Sequence, residues 1–204
     1  MKTLLWIVVS ILVLMGLFIA LDGDAYNNDG EQGNPMQETP QVIPISHATA
    51  VLRWGDTVFY TDPTGGAEAF AGQPPANIVL VTDVHGDHLS TSTLAAVVGP
   101  ETTLIVPQSV KEKLPEDLAA RATALKNGET FAVREFNVLA MPMYNLPEST
   151  DAFHTKGRGN GYIIGRDDVH VYVAGDTAGI PEMRALTNID IALVPMNLPY
   201  TMSV

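Results

Sequence analysis

Ile78-Val79-Leu80-Val81-Thr82-Asp83-Val84-His85-Gly86-Asp87-His88 is the stretch on which the reading of this chain turns. Its first half is an unbroken apolar run rich in β-branched residues, the pattern of a strand buried on both faces. Its second half gathers two histidines and two aspartates within six residues, where that strand ends. If extension continues, a period of two puts the side chains of Asp83 and His85 on one side of the backbone. Gly86 permits a sharp turn, which leaves Asp87 and His88 just ahead of a helix. Imidazole and carboxylate together suit zinc, manganese or iron, whereas carboxylates alone would suit magnesium. A metal centre at the exit of a buried strand is the expectation.

Outward from this stretch the chain reads as α/β. Short strands are expected at Val42–Ile45, Ala50–Trp54 and Val58–Thr61, the last two joined by a Gly55-Asp56 hairpin turn. Asp62-Pro63 and Gly65-Gly66 end the third strand in a loop. Beyond His88, a helix is expected over Leu89–Val98 with Ser90 or Ser92 near its N-cap. Then come a strand at Thr103–Val106, a helix near Ser109–Leu114, and strands at Phe136–Met143, Gly161–Gly165 and Val169–Ala174. A short helix at Pro181–Leu186 leads into a strand at Ile191–Pro195, read as buried. Two groups of strands interleaved with helices suggest sheets covered by helices on their outer faces. The pattern alone does not separate a sandwich from one open sheet.

Composition removes several classes of function. With 23 acidic against 11 basic residues, a net charge of -12 argues against a nucleic-acid partner, which calls for cations to neutralise phosphates. The chain has no cysteine, so disulfides, thiolate zinc ligands, a cysteine nucleophile and a lipidated cysteine are excluded. Any metal must be held by His, Asp, Glu or neutral donors.

Location is written in the first residues. Lys2 precedes the uncharged, mostly apolar run Leu4–Leu21, about the length that spans a bilayer. Residues 1–21 are therefore read as an uncleaved signal-anchor, with a cleaved signal peptide as the competing reading. Lys2 before the run and Asp22, Asp24, Asp29 and Glu31 after it orient the N-terminus inward. The expectation is a domain tethered to the inner membrane and facing the periplasm or the exterior, or secreted if the segment is cleaved. Residues 22–40 have a polar linker composition, and one folded domain is expected over 41–204.

The stretch from Thr82 to His88 resembles the His-x-His-x-Asp-His signature of the metallo-β-lactamase superfamily, with Asp83 where the first histidine usually stands. Asp62-Pro63 resembles the Asp-Pro after the first hairpin of that family, and Ala174-Gly175-Asp176-Thr177 its later strand-end motif. Pro142-Met143-Tyr144-Asn145, Phe153-His154-Thr155-Lys156-Gly157 and Pro199-Tyr200-Thr201-Met202 look most like the small zinc-dependent hydrolases related to the ascorbate-phosphate lactonases. The resemblance implies an αββα sandwich holding one or two ions, Zn2+ first, with Mn2+ or Fe2+ as substitutes. Asp83 and His85 would serve the first ion, Asp87 and His88 the second, and Asp176 would bridge them. His154 is the candidate for the ligand lying between the two motifs, with Asn145 its rival. Asp62 either accepts a hydrogen bond from a ligand histidine or shapes the turn with Pro63. His47 is expected to support the site without being a ligand, and His170, between Val169 and Val171, to face outward from a strand.

Two departures from the family pattern stand out. An aspartate at position 83 adds a carboxylate beside the metals, which should raise the pKa of bound water and shift preference toward harder ions. The family also supplies a last ligand histidine several tens of residues beyond the Gly-Asp-Thr motif. This sequence has no histidine after His170 and ends at Val204, so the chain is expected to be truncated and its second metal position incomplete. The function implied is a metal-dependent hydrolase using metal-bound hydroxide, held by Asp87, on an ester, lactone or phosphodiester small molecule. The rival is a membrane-tethered metal-binding or scaffold protein of the same fold without turnover.

Overall fold

Two residues, Gly55 and Asp56, turn the chain between a pair of antiparallel strands that begins one side of a sandwich. The computed structural model describes residues 38–202. Strands β1 (Gln41–Ser46), β2 (Thr49–Trp54), β3 (Thr57–Thr61), β4 (Ile78–Leu80), β5 (Thr103–Pro107) and β6 (Ala122–Leu125) lie side by side in that order. The first three run antiparallel and the pairings from β3 to β6 are parallel. The second sheet has the order β11-β10-β9-β8-β7, from β7 (Thr130–Val133), β8 (Phe136–Met143), β9 (Gly159–Arg166), β10 (Val169–Val173) and β11 (Ile191–Leu193). Only its β10–β11 pairing is parallel.

Period-two alternation decides which residues meet between the sheets. Leu52, Trp54, Phe59, Ile78, Leu80 and Ile105 from the first sheet are buried against Phe136, Val138, Tyr162, Ile164 and Val171 from the second. Phe136 sits edge-on to both Trp54 and Phe59, with ring centroids 5.0 and 4.9 Å away. Each such ring removed from water contributes roughly 1.5–3 kcal/mol. The alternate residues Val51, Tyr60, Val79, Val81, Leu104 and Val106 face the other way. They are covered by Leu94 of α1 (Thr91–Val97), Val110 of α2 (Gln108–Lys111) and Leu118 of α3 (Glu116–Arg121). Ser90 is the N-cap of α1, its hydroxyl accepting from the Thr93 N–H. The sandwich implied by the resemblance is therefore present, with a helical layer on the first sheet. On the side of the second sheet, the only helix among the described residues is the four-residue α4 (Pro181–Arg184), which buries none of its side chains.

Four elements depart from expectation. The segment Ile191–Pro195, expected as a buried strand, is a three-residue edge strand with one neighbour, in which Ala192 is exposed and Ile191 and Leu193 are partly buried. Helix α3 and strands β6 and β7 were not anticipated. α3 runs straight into β6 with no Gly or Pro between them, and β7 is a four-residue edge strand between polar turns. The packed region also reaches back into the expected linker, since the Glu38 carbonyl accepts from the Trp54 indole N–H at 2.8 Å and Pro40 is buried. The expected anchor over residues 1–21 and most of the linker lie outside the described residues. Among the described residues no helix is long and apolar enough to cross a membrane.

Candidate metal centre

The site grows from the place where β4 stops pairing within its own sheet. The Thr82 carbonyl accepts from the Asn160 N–H of β9 at 2.9 Å, so the chain leaves β4 stitched to the opposite sheet. The loop then tightens, with the His88 and Leu89 N–H groups donating to the His85 carbonyl at 3.0 and 2.8 Å. Asp62, at the end of β3 and with φ of 45°, closes the arrangement from the side. Its carboxylate accepts from the Thr82 N–H at 2.7 Å and the Thr82 hydroxyl at 2.6 Å, and lies 2.8 Å from His88 Nδ1. The two roles weighed for Asp62, acceptor and turn former, coexist. A histidine that donates from Nδ1 presents its Nε2 lone pair elsewhere.

His154 is held in the same way by a different residue. The Asn145 side-chain oxygen accepts from the His154 N–H at 2.8 Å and lies 3.1 Å from its Nδ1. The two rival positions are thus in contact, one orienting the other. Asn145 is itself fixed by donating to the Tyr200 carbonyl at 2.7 Å. Asp176 enters from the end of β10, after Gly175, whose φ is 64°. The Nε2 atoms of His88 and His154 each lie 3.3 Å from Asp176 Oδ2. Neither nitrogen has a hydrogen-bond partner among the described residues, and both are buried. Burial alone would discourage a charge on His88, but Asp62 and Asp176 outweigh it and push its pKa up to about 11. Burial likewise opposes ionisation of Asp176, yet the two imidazoles hold its carboxyl far below the usual range. Two buried Nε2 atoms converge on one carboxylate in a field that favours positive charge there, and a transition-metal ion that displaced the proton would fit this donor set.

By distance, the ligand-type side chains fall into two groups, Asp83 with His85 and His154, and Asp87 with His88 and Asp176. The members differ in how free they are. Asp87 is half-exposed at the mouth, 3.1 Å from His47 Nε2 and 3.8 Å from His88 Nε2. His47 therefore backs Asp87, while His170 lies over Gly165 on the second sheet and in neither group. Asp83 is wholly buried and carries a partner that sequence reading missed. Arg158 donates from Nε to Oδ1 at 3.0 Å and from Nη2 to Oδ2 at 2.7 Å. His85 Nδ1 is 3.0 Å from the same Oδ2. Burial lowers the His85 pKa, Asp83 opposes that, and Arg158 lowers it further. The carboxylate counted as added negative charge is thus neutralised by a guanidinium. The one available signal was the unexplained acid itself, which calls for a counter-charge if buried.

A cavity of about 310 Å³ opens over these groups, lined by His47, His85, Asp87, His154 and Asp176 and rimmed by Phe153, Asn197 and Tyr200. The Phe153 and Tyr200 rings meet edge-on at 4.9 Å. Both are exposed.

Comparison with known proteins agrees with this geometry. A family model described as a beta-lactamase superfamily domain matches residues 41–204. A metal-dependent hydrolase of Pyrococcus furiosus is 29% identical over 170 residues, covering 78% of this chain and 73% of that protein. One from Thermus thermophilus is 26% identical over 164 residues, covering 78% and 71%. Among solved structures, a candidate metal-dependent hydrolase of Parabacteroides distasonis is 33% identical with a TM-score of 0.70, covering 81% of this chain and 79% of that one. A metallo hydrolase from Ignicoccus hospitalis, 20% identical with a TM-score of 0.64, covers 80% and 73% and shares the fold. The relatives are named as metal-dependent hydrolases, and with a family match spanning the folded region this chain belongs to the metallo-β-lactamase superfamily.

Proposed function

We propose that this chain is a metal-dependent hydrolase acting on an uncharged ester or lactone. The observation that carries the reading is the pair of buried, unpartnered Nε2 atoms of His88 and His154 converging on Asp176. Two imidazoles with carboxylates suit Zn2+, with Mn2+ or Fe2+ as substitutes. His88, His154 and Asp176 would hold a divalent ion, which would supply the acidity needed to activate a water and polarise a scissile group. The protein's share is orientation. Asp62 and Asn145 fix the two ring tautomers, and Asp87, at the mouth and paired with His47, is placed to accept a proton from an attacking water. Among the described residues neither Lys nor Arg lines the cavity, and Arg158 is held on Asp83, which favours a neutral substrate over a phosphodiester. The exposed rings of Phe153 and Tyr200 offer an apolar rim for its acyl or ring portion.

Hydrolysis of aryl esters, lactones and phosphodiesters by the Zn2+-loaded chain tests the reading. Ester or lactone turnover is expected, falling about 100-fold or more in Asp87→Ala if that residue handles the proton. Bound metal with no turnover on any class would instead support the non-catalytic metal-binding reading. The run Leu4–Leu21 supports the further proposal that the domain is anchored at the outer face of a membrane. Protease added to intact cells or spheroplasts should then cleave the domain, and protection from it would overturn this topology.

A further inference from the structure

The two ligand groups are not equally available, and the difference centres on Arg158. We propose that Arg158 takes the place of a cation in the first metal position, so that the centre holds a single ion on His88, His154 and Asp176, with Asp87 at its edge. The inference rests on the metal-centre reading and specifies its stoichiometry.

Both oxygens of buried Asp83 are engaged, Oδ1 by Arg158 Nε, and Oδ2 by Arg158 Nη2 and His85 Nδ1. The other ring nitrogen of His85 lies 3.5 Å from Arg158 Nη2. An ion bound by Asp83 and His85 would therefore sit directly beside a fixed guanidinium, and repulsion between the two positive charges would oppose its binding. His88 and His154 present the opposite picture, since each Nε2 lies 3.3 Å from Asp176 Oδ2 and has no hydrogen-bond partner among the described residues. His154 Nε2 is also nearer to Asp176, at 3.3 Å, than to Asp83, at 3.8 Å.

The arginine is not a loose surface group. Its carbonyl accepts from the Ser109 hydroxyl at 2.6 Å, and its N–H donates to the Thr155 carbonyl at 3.2 Å. The next residue, Gly159, lies so close to the segment leaving β4 that a Cβ there would come within 2.8 Å of the Thr82 carbonyl oxygen. The backbone that carries Arg158 is thus fixed against the backbone that carries Asp83. A neutral histidine at position 83 would need no counter-charge, whereas a buried carboxylate does, and the fork of Arg158 meets it with matched geometry. Asp83 and Arg158 act as one unit that is neutral overall and closed to a second metal.

Metal stoichiometry decides the matter without reference to turnover. The full chain is saturated with Zn2+, freed of excess and analysed by native mass spectrometry and elemental analysis; Co2+ absorption reports the coordination. One ion per chain is expected in the unmodified protein. His85→Ala should keep that ion, and His154→Ala and Asp176→Asn should lose it. Arg158→Ala should raise the count to two by exposing Asp83, while Arg158→Lys should leave it at one. Two tightly held ions in the unmodified chain would overturn the inference and leave the metal-centre reading standing. Loss of the single ion in His85→Ala would also overturn it, by placing the metal in the first position. No ion at all would overturn the metal-centre reading and this inference with it.

Discussion

Asn145 shows how one side chain can govern a centre that it does not enter. Its oxygen receives both the backbone N–H and the ring of His154, so the direction of Nε2 depends on it. Asn145→Ala should weaken metal affinity about 10–100-fold, the usual effect of losing a group that orients a ligand histidine. Asn145→Asp keeps the acceptor and should retain most of the affinity; competition against a chromophoric chelator measures both. At this scale the sequence was informative wherever the contacts are local. Asp83 to His88 announce themselves within six residues, and Asp176 sits in a recognisable strand-end motif. His154 and Asn145 competed for one assignment because sequence does not show that the loop returns one to the other across a separation of nine positions. Arg158 was invisible for the same reason, its partner lying 75 residues away with no periodicity to connect them.

At the scale of elements, β10 and its exit bear on both stability and the site. Gly175 has a positive φ, and a Cβ there would approach Met143 Sδ to 2.6 Å and Thr82 Cβ to 3.0 Å. Gly175→Ala should therefore destabilise the fold by about 2–5 kcal/mol through backbone strain and crowding, read by urea unfolding, and displace Asp176 with it. Within the strand, Tyr172 is buried and its hydroxyl has no partner among the described residues. Tyr172→Phe removes that cost and should leave stability at neutral pH unchanged or higher by about 1 kcal/mol. Burial also pushes the Tyr172 pKa up from 10.0 to about 12. The folded state thus favours the neutral phenol, and its stabilisation is complete below the unfolded value and lost as pH rises through the folded one. Thermal unfolding between pH 10 and 12 should show a smaller decline in Tyr172→Phe than in the unmodified chain. Strands with clean alternation, such as β8, were legible end to end. β6, β7 and β11 were missed or misjudged because they have three or four residues each, too few for a period to declare itself.

For the whole molecule, the two groups of strands were legible, but their division into facing sheets was not, because pairing partners are set by packing between distant segments. What joins those sheets is aromatic and aliphatic burial through most of the interface, and polar stitching at one end. His88 follows β4 of the first sheet, whereas His154 precedes β9 and Asp176 follows β10 of the second. An ion shared by these three residues would behave as a removable rivet, and its binding free energy would become part of the folding free energy. At a free ion concentration 100 times the dissociation constant, this linkage is worth about 2.7 kcal/mol. For a domain of this size, chelation should then lower the melting temperature by roughly 5–10 °C, seen as an EDTA-dependent shift that added Zn2+ reverses. The protein would in effect report the metal supply of its compartment through its own lifetime, persisting where the ion is plentiful and being cleared by proteases where it is scarce.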